Sequence, residues 1–360
     1  MKEFIVKKGP FVKTDQNTRK ISFQVFFVLL FLCVFAIIKN GAIPYFSGKV
    51  EVNGLLFPIL FILTGVITST LTDLICQFIF KVNTSPNYFE SINCGILLSL
   101  ILPMYTPLWV LVLGSAVMIG SKYLMTKFFQ KEILNPVLIG WGLIMAAYLF
   151  KLIPAIDYLN PLEVDLGTPL GNVEQLTSLG SYHELVKPYG SFLHFLIGFV
   201  PGGMGTTSIF LCLVAFGYLT FYQVIKWRIP VVTVATVFTI TMLIGGFSGL
   251  SIWYPTFQVC SGALIFGSIF IASYYGTSPV TPLGQTLYGL FLGCFIVILR
   301  FFTPLVDGAL VAMLFMPLLK DFFDYIGAVA RFNFNRSIIA FLIAWLMILF
   351  LGCFLGLHYQ

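Results

Sequence analysis

The sequence has very little charge. Of its 360 residues only 9% are Asp, Glu, Lys or Arg, whereas 59% are hydrophobic. A soluble domain carries about 25% charged residues. Apolar stretches near or above the length that crosses a bilayer recur along the chain. They are continuous and do not alternate in segments of about ten residues, as the strands of a membrane barrel do. The composition therefore predicts an all-α, polytopic membrane protein.

Several signatures of other classes are also missing. The seven cysteines form no CxxC pair and the three histidines are scattered, so we predict no metal site. We interpret the cysteines as small packing residues. The net charge of +6 comes from basic residues beside predicted helix ends, so we expect no nucleic-acid partner. Residues 1–20 are polar and basic, and no convincing cleavage site follows, so we expect no cleavable signal peptide.

The apolar segments predict about ten to eleven transmembrane helices. We divide the chain into a cytoplasmic basic tail (1–20), a first membrane repeat of helices 1–5 (21–150), an outer loop (151–206), a second repeat of helices 6–10 (207–326) and an additional C-terminal transmembrane helix (336–357).

Two short apolar segments stand out because prolines follow them. They cover residues 91–103 and 259–272, and each occupies the third position of its five-helix half. Paired, interrupted segments of this kind indicate an inverted repeat with a site near the membrane midplane. An equally acceptable interpretation is that their small residues only allow close helix packing.

Basic residues predict the orientation. With a cytoplasmic N-terminus, fifteen Lys and Arg lie inside and five lie outside, namely Lys39, Lys49, Lys151, Lys187 and Arg300. Cytoplasmic loops carry the excess of basic residues. The long acidic loop within 151–190 and the segment that follows it therefore face outward.

That following segment, residues 198–208, is the most distinctive stretch. It combines Pro201 with several glycines and ends in Thr206, Thr207 and Ser208 before an apolar helix. Glycine allows a tight turn and close approach to a ligand. Hydroxyl residues cap helix N-termini, which also attract phosphate. The residue types alone fit a turn with an N-cap or a phosphate-binding loop.

The order of motifs along the chain indicates a family more specifically than the residue types of this loop do. Gly202-Gly203-Met204-Gly205-Thr206-Thr207-Ser208 resembles the flavinylation motif G-S-x-G-E-T-S of the RnfD/NqrB family, with Thr206 in place of Glu. Further segments resemble the same family at Ser91–Pro103 with Trp109, Glu132–Val137, Trp227–Pro230 and Thr277–Gly284. Tyr274 and Tyr275 replace the family's Asp-Pro.

The resemblance implies a fold and a cofactor. Family members have a urea-transporter-like architecture of two inverted five-helix repeats. They carry FMN through a phosphoester on the threonine that corresponds to Thr207, attached by a flavin transferase. Gly202, Gly205, Thr206 and Ser208 would surround the attachment point, and Thr206 and Ser208 are alternative acceptors. The family also makes room for a second, non-covalent flavin.

The implied function is electron relay. The chain would be an FMN-carrying subunit of an Rnf/NQR-type complex in the bacterial inner membrane, working with other membrane subunits and coupled to Na+ or H+ translocation. It would be part of a translocase with no catalytic residue of its own. A divergent transporter or channel without flavin is the alternative, and a purely structural anchoring subunit is a third interpretation.

Overall fold

A computed structural model describes residues 17–46, 48, 52–81, 88–104, 106–152, 182–303, 308–331 and 334–358. Within these ranges every regular element is helical. In a bilayer the backbone polar groups must be satisfied inside the protein, and helices achieve this within one segment. The all-α prediction is confirmed. Residues 1–16 of the basic tail and residues 153–181 of the acidic loop lie outside the described residues.

The helices of the first half surround an interrupted segment. A π-helical turn, Ile38–Ala42, joins the first two helices. The helices are α1 (Thr18–Ile37), α2 (Ile43–Phe46), α3 (Val52–Phe80), α4 (Tyr88–Ile101), α5 (Leu108–Phe129) and α6 (Pro136–Leu149).

The second half has a comparable order after two short connecting helices. The helices are α7 (Tyr182–Leu185), α8 (Phe192–Ile197), α9 (Ile209–Phe221), α10 (Arg228–Phe247), α11 (Trp253–Cys260), α12 (Leu264–Gly267), α13 (Pro282–Phe302), α14 (Gly308–Phe315), α15 (Lys320–Arg331) and α16 (Phe334–His358). A π-helical turn, Ser268–Ala272, extends α12.

Among the described residues, five helical segments are long and apolar enough to cross a membrane, and a bent pair makes a sixth. Shorter apolar helices account for the other predicted segments, including Tyr88–Ile101 and Ile209–Phe221. A polytopic membrane protein is confirmed, whereas ten to eleven complete crossings and the inverted symmetry stay predictions. The additional C-terminal helix is present as α16.

Both predicted interruptions are real breaks. Helix α4 ends at Ile101, and Leu102 and Pro103 follow before α5. The pair formed by α11 and the segment Leu264–Ala272 bends by 57°. Gly262 lies at this second break with φ +69°, a conformation that glycine adopts without steric cost.

Three details of the predicted layout need correction. The apolar run at roughly 21–38 predicts the first helix, but the helical segment continues past 38, because α1 runs through the π-helical turn into α2. Lys39 and Arg300, predicted as outer flanking charges, are only 1% and 5% exposed. Asp73, which the sequence places near the inner end of the second predicted helix (roughly 55–76), is buried and accepts hydrogen bonds from Tyr123 and Gln77. Helix α9 begins at Ile209, directly after the three hydroxyl residues, as the sequence predicts, so Thr207 belongs to the preceding loop.

Candidate functional site

The loop of residues 198–208 connects α8 to α9. Gly198 ends α8 in the left-handed conformation, with φ +103°. A Cβ atom there would lie 2.7 Å from Ser208 Cα, so only glycine fits where the two ends of the loop approach each other. Ser208 is the N-cap of α9, and its hydroxyl accepts a long hydrogen bond from the Leu211 amide.

The loop also caps α4, whose C-terminal end is buried in the protein. The amides of Met204 and Gly205 donate to the carbonyls of Leu102 and Leu100, at 3.1 and 2.9 Å. The last carbonyls of a helix lack partners within that helix. In a bilayer, the polar groups of non-helical backbone must form their hydrogen bonds within the protein. The loop of the second half thus completes the interrupted helix of the first half.

The loop's glycines permit this close contact. A Cβ on Gly203 would lie 2.5 Å from the Ile101 carbonyl oxygen, and one on Gly205 would lie 2.5 Å from Leu100 Cδ2. A Cβ on Gly202 would instead meet the Thr207 methyl group at 2.8 Å. Gly203 and Gly205 therefore serve the packing of the loop onto α4, and Gly202 leaves room for the Thr207 side chain.

Thr207 contacts a buried lysine. Lys39 Nζ lies 2.7 Å from Thr207 Oγ1 and donates a second hydrogen bond to the Val200 carbonyl at 2.8 Å. The Thr207 hydroxyl in turn donates to the Gly198 carbonyl at 2.9 Å. Thr207 itself is 8% exposed. The hydroxyl is held in one orientation between a cation and a carbonyl.

The neighbouring residue Asn40 holds the same loop. Its amide donates to the Met204 carbonyl at 3.0 Å and to the Ala36 carbonyl at 2.9 Å. Both residues lie in the π-helical turn that follows α1. Single π-helical turns inside α-helices occur often at functional sites. The turn points two consecutive polar side chains at the loop.

The three hydroxyls of the motif have different environments. Ser208 is 1% exposed and caps a helix, so its hydroxyl has a structural task. Thr206 is 7% exposed, and within the described residues its hydroxyl has no hydrogen-bond partner. Only Thr207 lies against a cation. The geometry distinguishes Thr207 from the two alternative acceptors.

A small hydrophobic cluster supports the other side of the loop. Phe195 from α8 packs edge-on against Phe257 from α11, with ring centroids 5.7 Å apart. Val200 and Ile209 from the two ends of the loop region belong to the same cluster. The loop is thus enclosed between α4, the π-helical turn after α1, and α11.

A second polar cluster lies at the opposite end of α4. Glu90 Oε1 accepts from Lys122 at 2.5 Å, from the Tyr274 hydroxyl at 2.9 Å and from the Tyr275 hydroxyl at 3.3 Å. The tyrosines that replace the family's Asp-Pro therefore donate to an acid of the first half. Compared with the family pattern, the two tyrosines lack the carboxylate of the Asp. They instead provide two hydroxyls that donate hydrogen bonds to the Glu90 carboxylate.

Glu132 lies close to the same cluster. Burial raises the pKa of this carboxyl, and the Lys122 ammonium works against that rise. Its Oε2 atom is buried without a hydrogen-bond partner among the described residues. Proton uptake by Glu132 is therefore favoured relative to an exposed glutamate.

A narrow cleft of about 60 Å³ lies beside this second cluster. Its walls are mostly apolar and include Leu97, Leu219 and Phe270, with Glu90 and Asn93 among the polar groups. The Asn93 amide donates to the Ser22 carbonyl, whereas its Oδ1 atom is buried without a partner in the part of the chain that the structure describes.

The structure brings Gly202, Gly205, Thr206, Thr207 and Ser208 together in one loop, as the motif predicts. The sequence interpretation missed Lys39 and Asn40, which it placed at a helix end. A signal was present, because the apolar residues of α2 follow directly after them. Two polar residues inside a longer apolar stretch indicate a buried contact.

The fold and the loop define a class: an α-helical, polytopic membrane protein in which a glycine-rich loop completes an interrupted helix. Comparison with known proteins gives the family. The model of the NQR2, RnfD, RnfE family matches residues 5–333. The chain belongs to this family.

Individual relatives are subunits of ion-translocating oxidoreductases. The chain is 27% identical over 344 residues to a subunit of the proton-translocating ferredoxin:NAD(+) oxidoreductase complex of Clostridium ljungdahlii, covering 92% of this chain and 97% of the relative. It is 26% identical to a subunit of the Na(+)-translocating ferredoxin:NAD(+) oxidoreductase complex of Acetobacterium woodii, covering 71% and 78%. It is 27% identical to a subunit of the Na(+)-translocating NADH-quinone reductase of Yersinia pestis, covering 67% and 59%.

Proposed function

We propose that this protein relays electrons as a subunit of an Rnf/NQR-type membrane complex, with FMN esterified to Thr207. The observation that carries the proposal is the position of the Thr207 hydroxyl, 2.7 Å from the buried ammonium of Lys39. A phosphoester brings a negative charge, and this is the hydroxyl of the three that has a cation beside it.

The residues present fit such a group. A bound FMN supplies redox chemistry through its ring, while the protein supplies attachment, position and electrostatics. Thr207 provides the ester oxygen, Lys39 provides positive charge, and the bonds from Met204 and Gly205 to α4 fix the loop. Thr206, which stands where the family has Glu, contributes no carboxylate to this environment, so less negative charge opposes the phosphate.

The subunit would act with other membrane subunits and depend on a flavin transferase. The named relatives divide between proton and sodium translocation, so the coupled ion is proposed as H+ or Na+. The distribution of basic residues supports a multi-pass protein of the bacterial inner membrane with a cytoplasmic N-terminus and an outward-facing loop.

A second, non-covalent flavin would need a larger site than the cleft beside Glu90 offers. Ligand sites commonly enclose 300–1,000 Å³ and combine apolar walls with a few polar groups. The cleft encloses about 60 Å³ and is too small for a flavin in this arrangement, although an Asn93 oxygen in it has no partner among the described residues. Flavin that is released by denaturation from a Thr207→Val variant would support a second flavin site on the protein.

Co-expression with a flavin transferase tests the covalent site. We expect a fluorescent protein band and a mass increase of one FMN less water on the peptide that contains Thr207. Thr207→Ser should retain this label because it keeps a hydroxyl at the same position, and Thr207→Val should lose all of it. Thr206→Val is the matched control and should retain the label.

Other results would favour the alternative functions. Absence of flavin, with the transferase active on a control protein, would contradict the covalent site. Unchanged solute or ion flux in Thr207→Val would then favour a transporter or channel. Loss of complex assembly on deletion, with full electron transfer in Thr207→Val, would favour a structural anchoring subunit.

A further inference from the structure

We propose that Lys39 is the resident counter-ion of the phosphate carried on Thr207, so that the loop reaches charge balance only when this group is attached. The inference rests on the proposed function and assigns a task to a residue outside the flavinylation motif. Lys39 would act as a positioning residue that selects Thr207 and stabilises the loaded loop.

Among the described residues, the Lys39 amine is isolated from acidic side chains. Lys39 is 1% exposed. Its two hydrogen-bond partners within the described ranges are neutral, the Val200 carbonyl and the Thr207 hydroxyl. Among the described residues no acidic side chain forms an ion pair with it or contributes to its electrostatic environment. A buried charge is costly unless it is paired.

The donors and the charge of Lys39 match those that one phosphodiester requires. An ammonium has three N–H donors, and Lys39 uses two of them within the described residues. A phosphodiester carries one negative charge, shared by two non-bridging oxygens. One ammonium and one phosphodiester therefore form a neutral pair, and charge-assisted hydrogen bonds of this kind are stronger than neutral ones.

Attachment changes the hydrogen bonds that the Thr207 oxygen can make. The transferase would move the FMN phosphoryl group from a flavin dinucleotide: the phosphoanhydride bond of this donor breaks, a P–O bond to Thr207 Oγ1 forms, and the hydroxyl proton leaves with the released nucleoside monophosphate. The esterified oxygen can no longer donate to the Gly198 carbonyl. The phosphate oxygens would then take over as acceptors for Lys39. Because Thr207 is 8% exposed, the loop must move during attachment, and the new ion pair would stabilise the closed arrangement afterwards.

Lys226 provides a matched comparison within the same chain. It also donates to a hydroxyl and a carbonyl, those of Ser278 and Pro279, at 3.2 and 2.8 Å. Burial and the nearby Lys320 lower the pKa of Lys226, whereas Asp324 raises it, so this lysine already has an acid in its environment. Lys226 therefore has no need of an added anion.

The experiment measures the unfolding temperature with and without attached flavin, for the wild type, Lys39→Met and Lys226→Met. Flavin-free protein is obtained by expression without the transferase. We expect flavin to raise the unfolding temperature of the wild type and of Lys226→Met. In Lys39→Met this gain should vanish or reverse, and flavin loading should fall about tenfold, as for the loss of one charge-assisted hydrogen bond.

A merely structural lysine would give a different result, because its loss would lower the unfolding temperature equally in both states. Lys39→Gln, which keeps an N–H donor without charge, is measured in parallel in case the methionine variant does not accumulate, and the same loss of gain is expected. Full loading and an unchanged gain in either variant would overturn the role of Lys39 alone. A wild type that takes up no flavin would overturn the proposed function together with this role.

Discussion

The polar side chains at the two ends of α4 differ in whether their charges are paired. At the Glu90 end, acids and bases meet: Lys122 and two tyrosines donate to one carboxylate oxygen. At the loop end, the ammonium of Lys39 is buried against neutral oxygens. At the first end, the charged groups are paired with side chains of the same chain. At the second end, the described residues provide no acid for Lys39, so this end is suited to an anion from a bound group.

This contrast separates structure from function within one fold. A buried ion pair with additional hydrogen bonds fixes the relative position of the segments that provide its members. Glu90, Lys122 and Tyr274 come from α4, α5 and the segment after the second break, so the pair joins the two halves. A buried cation without an acid contributes less to stability, and a ligand-related role accounts for it better.

The largest stability effect should come from breaking the pair at the Glu90 end. Glu90→Gln leaves Lys122 without its carboxylate, and the two side chains are only 18% and 19% exposed. We expect a loss of about 3 kcal/mol, measured as a lower midpoint of denaturant unfolding in detergent. Glu90→Gln combined with Lys122→Met should lose less, because no unpaired ammonium remains and Glu132, whose pKa is already raised by burial, can take up a proton. Equal losses in the single and double variants would contradict the pairing.

A smaller loss is expected when the loop is forced away from α4. The Cβ in Gly203→Ala would approach the Ile101 carbonyl oxygen to 2.5 Å, and overpacking of this kind costs about 1–3 kcal/mol. Flavin content should fall with stability, because the loop no longer presents Thr207 correctly. Flavin content is measured by absorbance against protein concentration.

The matched control is Gly217→Ala within α9, where a Cβ meets nothing within 4 Å. It should leave flavin content unchanged and stabilise the helix by about 0.5–1 kcal/mol. Loss of flavin in this control, or full flavin in Gly203→Ala, would show that close contact between the loop and α4 is not required.

The smallest effect should come from Tyr274→Phe. It removes one of the three donors to Glu90 Oε1 and keeps the ring. We expect a loss of about 1 kcal/mol, and the Lys122 pair should persist. Tyr274→Phe is also measured in the Glu90→Gln background, where the tyrosine's contribution to the free energy of unfolding should shrink, because an amide oxygen accepts a weaker hydrogen bond than a carboxylate. An unchanged contribution would mean that the hydroxyl acts elsewhere.

The sequence predicted the helical class, both interruptions and the loop, because long apolar runs, prolines and glycine-rich motifs are local signals. The ends of α16 lie within a few residues of the predicted 336–357. Thr207 was identified through the motif that surrounds it. These features depend on residues that are close together in the chain.

Features that depend on distant contacts were missed. Lys39 and Thr207 are 168 residues apart, and Glu90 and Tyr274 are 184 apart. Hydropathy places a lysine near the end of an apolar run at the membrane surface. The apolar residues of α2 continue past it instead, and the side chain is enclosed by a loop from the other half. The sequence can indicate that the lysine is buried, but only the packing of the two halves determines its partners.

The most direct test of the account is an experimental structure of the flavin-bearing protein within its complex. The account predicts density continuous with Thr207 Oγ1 and a phosphate oxygen about 2.7–2.9 Å from Lys39 Nζ, the usual length of a charge-assisted N–H···O bond. A phosphate attached to Thr206 or Ser208, or a Lys39 side chain directed away from the phosphate on Thr207, would contradict it.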